Sequence, residues 1–254
     1  DTCADTPSGE TVDSSGCADS QKDTDADGIT DDLDTCEATP EGATVDENGC
    51  ADSQKDTDGD GVTDDLDTCA DTTEGTAIDD NGCALPALYL DANGVTIKAS
   101  TNATIGESYD LDGVSYLVVD STMLYNMVAE KEDVTKVVTS NVMNMDGVFN
   151  PGATQTPDTF NQDISSWDVS NVTNMESMFQ ATRSFNQDIG NWDVSKVVNM
   201  EFMFFNATAF DQDIGSWELS NVTDMGFMFW YASAFNQDIG SWDVSNVNMM
   251  IGMF

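Results

Sequence analysis

The chain is 254 residues long and carries 48 acidic against 7 basic side chains and no histidine, a formal net charge of −41. Such a balance excludes a nucleic-acid binder and a docking surface for anionic lipid, both of which need a basic stripe. No run of 18 apolar residues is present, so no segment is expected to insert directly into a membrane, while a hydrophobic content of 39% supplies material for a core. There is no Met-initiated basic and apolar leader, and the chain reads as a mature or excised segment.

Residues 1–83 hold 26 acidic and 2 basic side chains, all six cysteines and no aromatic residue. Self-repulsion and chain entropy oppose condensation of such a segment by apolar burial, so it either stays disordered or is folded by something else. A shift of 33 residues superimposes it on itself, placing Cys3, Cys36 and Cys69 in one column and Cys17, Cys50 and Cys83 in another. Between these columns stand two runs, DTDADGITDDLD from Asp23 to Asp34 and DTDGDGVTDDLD from Asp56 to Asp67. A 12-residue calcium loop needs oxygen ligands at positions 1, 3, 5, 9 and 12, glycine at 6 for a sharp turn and a backbone carbonyl at 7. Asp23, Asp25, Asp27, Asp31 and Asp34 fill the first loop with the Ile29 carbonyl; Asp56, Asp58, Asp60, Asp64 and Asp67 fill the second with that of Val62. Solvated disorder is the plain alternative for an acidic run, and two in-register copies, each with its glycine, weigh against it. An EF-hand is disfavoured because no amphipathic helices flank the loops and position 12 is Asp.

With these loops and the spacers between them, such as CADTPSGETVDSSGC from Cys3 to Cys17, residues 1–83 resemble thrombospondin type 3 repeats. The resemblance implies a calcium-filled, rod-like connector on a secreted or outer-membrane protein. Two regular cysteine pairings suit the repeat. Pairing within each spacer (Cys3 with Cys17, Cys36 with Cys50, Cys69 with Cys83) leaves none free, and is preferred; pairing across the calcium loops strands Cys3 and Cys83. Zinc is disfavoured by the lack of CxxC and of histidine. Disulfides and weak all-Asp loops both point outside the cytoplasm, to an extracellular or bacterial cell-surface location.

Residues 84–133 read as a small β-rich unit with a helix, capping the repeats C-terminal to it. Leu88–Leu90 and Val95–Ile97 flank Asn93-Gly94, and Tyr109–Leu111 and Val114–Val119 flank Asp112-Gly113, both hairpin dipeptides. Ser121 is the expected N-cap of a helix with Met123, Leu124, Met127 and Val128 on one face.

Residues 134–254 repeat every 25 positions. Phe160, Phe185, Phe210 and Phe235 each open a unit, the last cut at Phe254; a degenerate copy runs from Ser140 to Phe149, with a longer insert before Phe160. The period lies in the leucine-rich-repeat range, and Ile189, Trp192 and Val194 match the LxxLxL strand signature. With units such as FNQDIGNWDVSKVVNMEFMF, the segment resembles the BspA-like leucine-rich-repeat surface proteins. The expected fold is therefore a repeat protein: calcium-bound, disulfide-stapled loop repeats followed by a leucine-rich-repeat-like α/β solenoid with parallel strands and short helices. Ile164, Trp167 and Val169 are expected to point inward from a strand, with Ser166, Asp168 and Ser170 outward. Thr173 and Glu176 form a capping-box pattern opening a helix whose buried stripe is Met175, Met178 and Phe179. Stacking would bring Asp168, Asp193, Glu218 and Asp243 into a like-charge column, which reads either as a face for cations, cationic groups or calcium-bridged sugars or as a solvated, salt-screened ladder.

Without histidine, a free cysteine under the preferred pairing, or a Gly-rich phosphate loop, the usual nucleophilic and phosphoryl-transfer groups are missing. A glycosidase pair needs two unlike carboxylate environments, and repeated columns offer every Asp the same one, so the chain is read as a non-enzyme. The functional expectation is an extracellular calcium-binding surface protein for adhesion or ligand binding, its solenoid engaging an extracellular protein or glycan. The alternative is a structural subunit assembling with copies of itself into a filament or sheath. Repeats interrupted at both ends suggest a natural protein that continues in both directions. Asn102, Asn171, Asn206 and Asn221 lie in Asn-x-Thr sequons, which repeat coincidence explains as well as glycosylation.

Overall fold

The computed structural model describes residue 3, residues 5–154 and residues 159–254, and the chain separates into two units, Asp1–Leu85 and Pro86–Phe254. Part of the insert before Phe160 lies outside the described residues.

The first unit is built of turns. Its regular pieces are two 3-10 turns, Asp19–Gln21 and Asp52–Gln54, and isolated antiparallel bridges from Val45 to Ala51 and from Ile78 to Ala84. Its buried apolar side chains are Cys17, Ala18, Cys50 and Ala51 among the described residues, so apolar burial cannot be what orders it. Three disulfides join Cys3 to Cys17, Cys36 to Cys50 and Cys69 to Cys83, the within-spacer pairing. A buried threonine ties each of two spacers together: the Thr39 hydroxyl contacts the carbonyls of Cys36 and Gly49 and the Gln54 side chain, and the Thr72 hydroxyl contacts the carbonyls of Cys69 and Gly82.

In the second unit, β1 (Leu88–Leu90) pairs antiparallel with β2 (Ile97–Ala99). Next, β3 (Ser108–Leu111) pairs antiparallel with β4 (Val114–Asp120) through Asp112-Gly113, whose φ values of 53° and 80° both lie in the left-handed region that a type I′ turn requires. Helix α1 (Ser121–Ala129) buries Leu124 and Val128, with Met123 and Met127 packed against the same core. Its N-cap is Asp120 rather than Ser121, because the Asp120 carboxylate reaches the Met123 N–H at 2.8 Å. β5 (Val137–Asn141) then pairs parallel with β4, and α2 (Pro151–Thr154) comes next.

From here the repeats lie side by side, each on the next. Ile164, Trp167 and Val169 are enclosed, as are Met175, Met178 and Phe179 and their equivalents one repeat on. The secondary structure differs from expectation, however. No continuous strand runs through Ile164–Val169; parallel pairing shrinks to single bridges linking Asn144, Asn174, Asn199, Asp224 and Met249 in succession. Nor is Met175–Phe179 a helix. Its N–H groups at Met175, Ser177 and Phe179 donate to Asn199, Glu201 and Met203 of the following unit, so they are unavailable for i→i−4 bonds. Ser177, Phe202 and Phe227 at φ of 55–57° also break any helical run. The Thr173–Glu176 pattern accordingly caps nothing; the Glu176 N–H binds Asn174 Oδ1 instead.

Each repeat turns on side-chain carboxyl or amide oxygens that accept the N–H two residues ahead. Asp188 serves Gly190, Asp193 serves Ser195 and Asn199 serves Glu201. Tryptophan replaces leucine for a related reason: the Trp192, Trp217 and Trp242 indole N–H groups donate to the carbonyls of Ile164, Ile189 and Ile214 in the preceding repeat. Phenylalanines complete the interior, with Phe179, Phe204 and Phe229 stacked at 5.5 Å intervals.

Candidate calcium centres

In the first loop Asp23, Asp25 and Asp27 bring one carboxylate oxygen each to within 4.8 Å of one another, and Asp56, Asp58 and Asp60 do so in the second. Backbone donors orient them. Asp23 accepts from the N–H groups of Asp27 and Gly28, Asp56 from those of Gly59 and Gly61. Asp27 and Asp60 each use Oδ1 for the N–H two residues on, at Ile29 and Val62. One oxygen of Asp25 accepts the Thr39 N–H at 2.7 Å, and one of Asp58 the Thr72 N–H at 2.6 Å, so each spacer fixes the carboxylate at position 3 of the loop before it.

What remains points at a cation. Asp25 Oδ1, Asp27 Oδ2 and Asp60 Oδ2 are shielded from solvent and have no hydrogen-bond partner. A buried carboxylate oxygen without a donor is costly unless a cation compensates it. A second observation brings in position 12. A Cβ on Gly49 would run into the Asp34 carboxylate and lie 3.1 Å from Asp27 Oδ2; one on Gly82 would run into Asp67 and lie 3.0 Å from Asp60 Oδ2. The spacer glycine thus leaves room for the two carboxylates that close each loop, and its φ of 80° or 76° suits glycine alone. All-oxygen, carboxylate-rich donors of this kind fit a hard divalent cation. The carbonyls of Ile29 and Val62 accept no backbone hydrogen bond among the described residues.

Asp31 and Asp64 stand apart from these groups. Both oxygens of each are engaged by the N–H and hydroxyl of Thr24 or Thr57, which hold their carboxyls below the usual range, and Lys22 lies 3.8 Å from Asp31. They close the loop as turn braces. Sequence reasoning missed Thr39, Thr72, Gly49 and Gly82, although their strict 33-residue recurrence was the available signal.

The outward acidic column of the second unit is less uniform than its sequence. Asp193, Glu218 and Asp243 are exposed, but Asp168 is buried. Its carboxylate accepts the hydroxyls of Ser140 and Ser170, Ser140 in turn accepts the Ala99 N–H, and the Ser166 carbonyl accepts the Ile97 N–H. Strand β2 therefore covers Asp168 at the first position of the column, leaves Ser166 and Ser170 half-buried, and gives one Asp an environment its equivalents lack. At Asp243 the Ser245 hydroxyl and N–H hold the carboxyl below its usual range. The Asn171 and Asn221 amides donate to Ser140 and Ser195 of the preceding repeat, which accounts structurally for two of the sequons.

Residues 118–229 and 152–254 match the family described as "Mycoplasma protein of unknown function, DUF285", together spanning more than half of the chain. The chain belongs to this family. Preceding the DUF285 region, residues 13–43 and 46–76 match the thrombospondin type 3 repeat, and these two matches hold the two candidate loops. No curated protein and no solved structure matches the chain significantly. Neither DUF285 nor the thrombospondin type 3 repeat is an enzyme family, and the pairing of the two fits an extracellular surface protein. No helix among the described residues is long and apolar enough to cross a membrane.

Proposed function

We propose that this chain is an extracellular, calcium-binding surface protein in which calcium rigidifies the first unit and the second binds a ligand. The observation that carries the reading is the pair of orphaned, shielded carboxylate oxygens at Asp27 and Asp60, each facing the Asp that closes its loop across a glycine. Asp23, Asp25, Asp27 and Asp34 would hold one ion, and Asp56, Asp58, Asp60 and Asp67 a second, with the Ile29 and Val62 carbonyls completing them. Calcium supplies positive charge where carboxylate density is highest, so that folding of the first unit and metal binding become one equilibrium. The second unit is a BspA-like leucine-rich-repeat solenoid, in which turn-rich coils stand where strands and helices are usual. Its role is adhesion or capture of an extracellular protein or glycan at a bacterial cell surface.

Calorimetric titration of chelator-treated protein tests the metal half. Two bound calcium ions are expected, with Asp27→Asn and Asp60→Asn each abolishing one; absence of binding heat together with unchanged compactness on chelation sinks it. Electron microscopy of the native assembly separates isolated rods, expected here, from ordered filaments, which would favour the structural alternative.

A further inference from the structure

The chain contains three Asn-Gly pairs, Asn48-Gly49, Asn81-Gly82 and Asn93-Gly94. In such a pair the glycine backbone nitrogen can attack the asparagine Cγ, because no Cβ on the second residue blocks its approach. Ring closure needs a carboxamide free to turn and a glycine N–H released from its own hydrogen bond. These conditions are met unequally. Asn93 is locked: its Oδ1 accepts the N–H groups of Val95 and Thr96, and its Nδ2 donates to the Thr96 hydroxyl, all at 2.9 Å. Every one of those contacts lies within the β1–β2 connection, and none involves a calcium loop.

Asn48 differs. Its carboxamide is exposed and makes no hydrogen bond among the described residues. Only its main chain is held. The Asn48 carbonyl accepts the Thr35 N–H at 2.9 Å, and the N–H groups of Asn48 and Gly49 donate to Asp46 at 2.9 and 3.2 Å. Thr35 directly follows Asp34, which closes the first loop, and Gly49 is buried with its missing Cβ facing the Asp34 and Asp27 carboxylates. The restraint on this pair therefore runs through the loop itself. Asn81-Gly82 has the same setting, with the Thr68 N–H on the Asn81 carbonyl at 2.9 Å and the missing Cβ of Gly82 facing Asp67 and Asp60. There the Asn81 side chain also reaches Asp79.

We propose that Asn48 and Asn81 are self-modification sites gated by calcium: the pairs stay locked while the loops hold their ions, and convert to isoaspartate once the ions leave, which closes the sites permanently. Water is the only co-reactant. The Gly49 nitrogen bonds to Asn48 Cγ and gives up its proton, the Cγ–Nδ2 bond breaks, and ammonia leaves a cyclic imide behind. Water then opens the imide, at the former main-chain carbonyl to give isoaspartate or at the side-chain carbonyl to give aspartate. Isoaspartate adds a methylene to the main chain and a new carboxylate immediately before Gly49, where the chain passes closest to Asp34 and Asp27. The lengthened chain moves the glycine off those carboxylates, so a reversible loss of metal becomes an irreversible one. The proposal rests on the calcium half of the proposed function.

The test keeps the whole chain at mildly alkaline pH in saturating calcium or in chelator and follows each asparagine by peptide mapping. Conversion registers as a gain of one mass unit, and electron-transfer fragmentation identifies isoaspartate. Asn48 and Asn81 are expected to convert at least about tenfold faster in chelator than in calcium, with Asn93 slow in both. Calcium restored afterwards is expected to bind in an amount reduced by the isoaspartate fraction. The double variant Asn48→Ser, Asn81→Ser carries the residue that the first spacer already has at Ser15, and is expected to keep both sites through the same treatment. Equal conversion in the two buffers, in protein that calorimetry shows to bind two ions, would overturn the proposal and leave the calcium reading standing. So would Asn93 converting fastest, or calcium binding undiminished by isoaspartate at either site. Absence of calcium binding to fresh protein would instead sink the calcium reading, and the gate with it.

Discussion

In the first unit the buried apolar side chains among the described residues are Cys17, Ala18, Cys50 and Ala51, whereas the second encloses unbroken columns such as Met175, Met200 and Met225 and Trp167, Trp192 and Trp217. Both units are repeats and both are acidic, yet the physical source of order differs. Disulfide cross-links and side-chain-to-backbone hydrogen bonds hold the first, around two groups of carboxylates proposed to take calcium; apolar stacking, with indole and amide donors satisfying the carbonyls of the repeat before, holds the second. Glycine marks the contrast. At Gly49 and Gly82 the missing Cβ makes room for a carboxylate, while at Gly190 and Gly215 it makes room for the Asp213 and Asp238 carbonyls of the next coil, 2.6 Å from where a Cβ would lie. An acidic polypeptide can be ordered by compensating its charge or by placing that charge outside a core; the second unit does the latter, and the calcium reading proposed for the first would make it an instance of the former.

Calcium removal should break the comparison most widely. Chelation is expected to raise hydrogen exchange throughout residues 5–83 while leaving the stacked repeats protected, and equal loosening of both units would show that they do not fold separately. Reduction comes next. Each bridge closes a sequence separation of 14 residues, worth about 3 kcal/mol in the chain-entropy model, so replacing Cys36 and Cys50 by Ala should lower calcium affinity and the first unit's melting while the second, which has no cysteine, melts unchanged. Conversely, Trp217→Phe removes one of the two donors to the Ile189 carbonyl, which keeps the Trp192 N–H, and removes volume from the second unit alone; a loss of about 1–3 kcal/mol in denaturant unfolding is expected from the lost hydrogen bond and the cavity together. Gly215→Ala should cost about as much through overpacking against the Asp238 carbonyl, with Gly240→Ala, which meets only the Asp238 side chain, close to neutral.

Acid gives the smallest and most local contrast. The Ser15 hydroxyl, with the N–H groups of Ser15 and Cys17, lowers Asp13 to about 2, and the Asn48 and Asn81 N–H groups lower Asp46 and Asp79 in the same way. Their contribution is present above the ordinary carboxylate value of about 4 and is lost as pH falls from there through the depressed folded values. Glu201 has the opposite sign: burial and neighbouring charges raise its carboxyl, so its penalty is present at neutral pH and is relieved as pH falls through that raised value. Carboxyl NMR titration should find Glu201 protonating well before Asp13, and the reverse order would contradict the packing around both.

Much of this was legible in the residues because the repeats multiply each signal. Two aligned copies of DxDxDGxxDxxD pointed to the grouped carboxylates, cysteine columns to the within-spacer pairing, and Asn93-Gly94 and Asp112-Gly113 to the hairpins. Inward positions were readable too, since Ile164, Trp167, Val169, Met175, Met178 and Phe179 are all enclosed. Local patterns misled where hydrogen bonds between repeats compete with those within one. Met175, Met178 and Phe179 have helical spacing, but their unit spends its N–H groups on the next coil, a choice that depends on a neighbour 25 residues away. Asp31 and Asp64 have ligand spacing, and here their oxygens accept from Thr24 and Thr57, contacts that the spacing alone does not announce.

By itself, then, the amino-acid order determined which residues recur together: the carboxylate groups, the cysteine pairs and the inward-facing columns. These arise from periodicity and from the chemistry of each residue type, and survive any detail of backbone path. Only tertiary structure decided which members of a column are equivalent. Asp168 is covered by β2 where Asp193 is open. The physical reason is that exposure and charge compensation belong to what packs against a residue, and a repeated sequence places the same residue against different neighbours at its ends and in its middle.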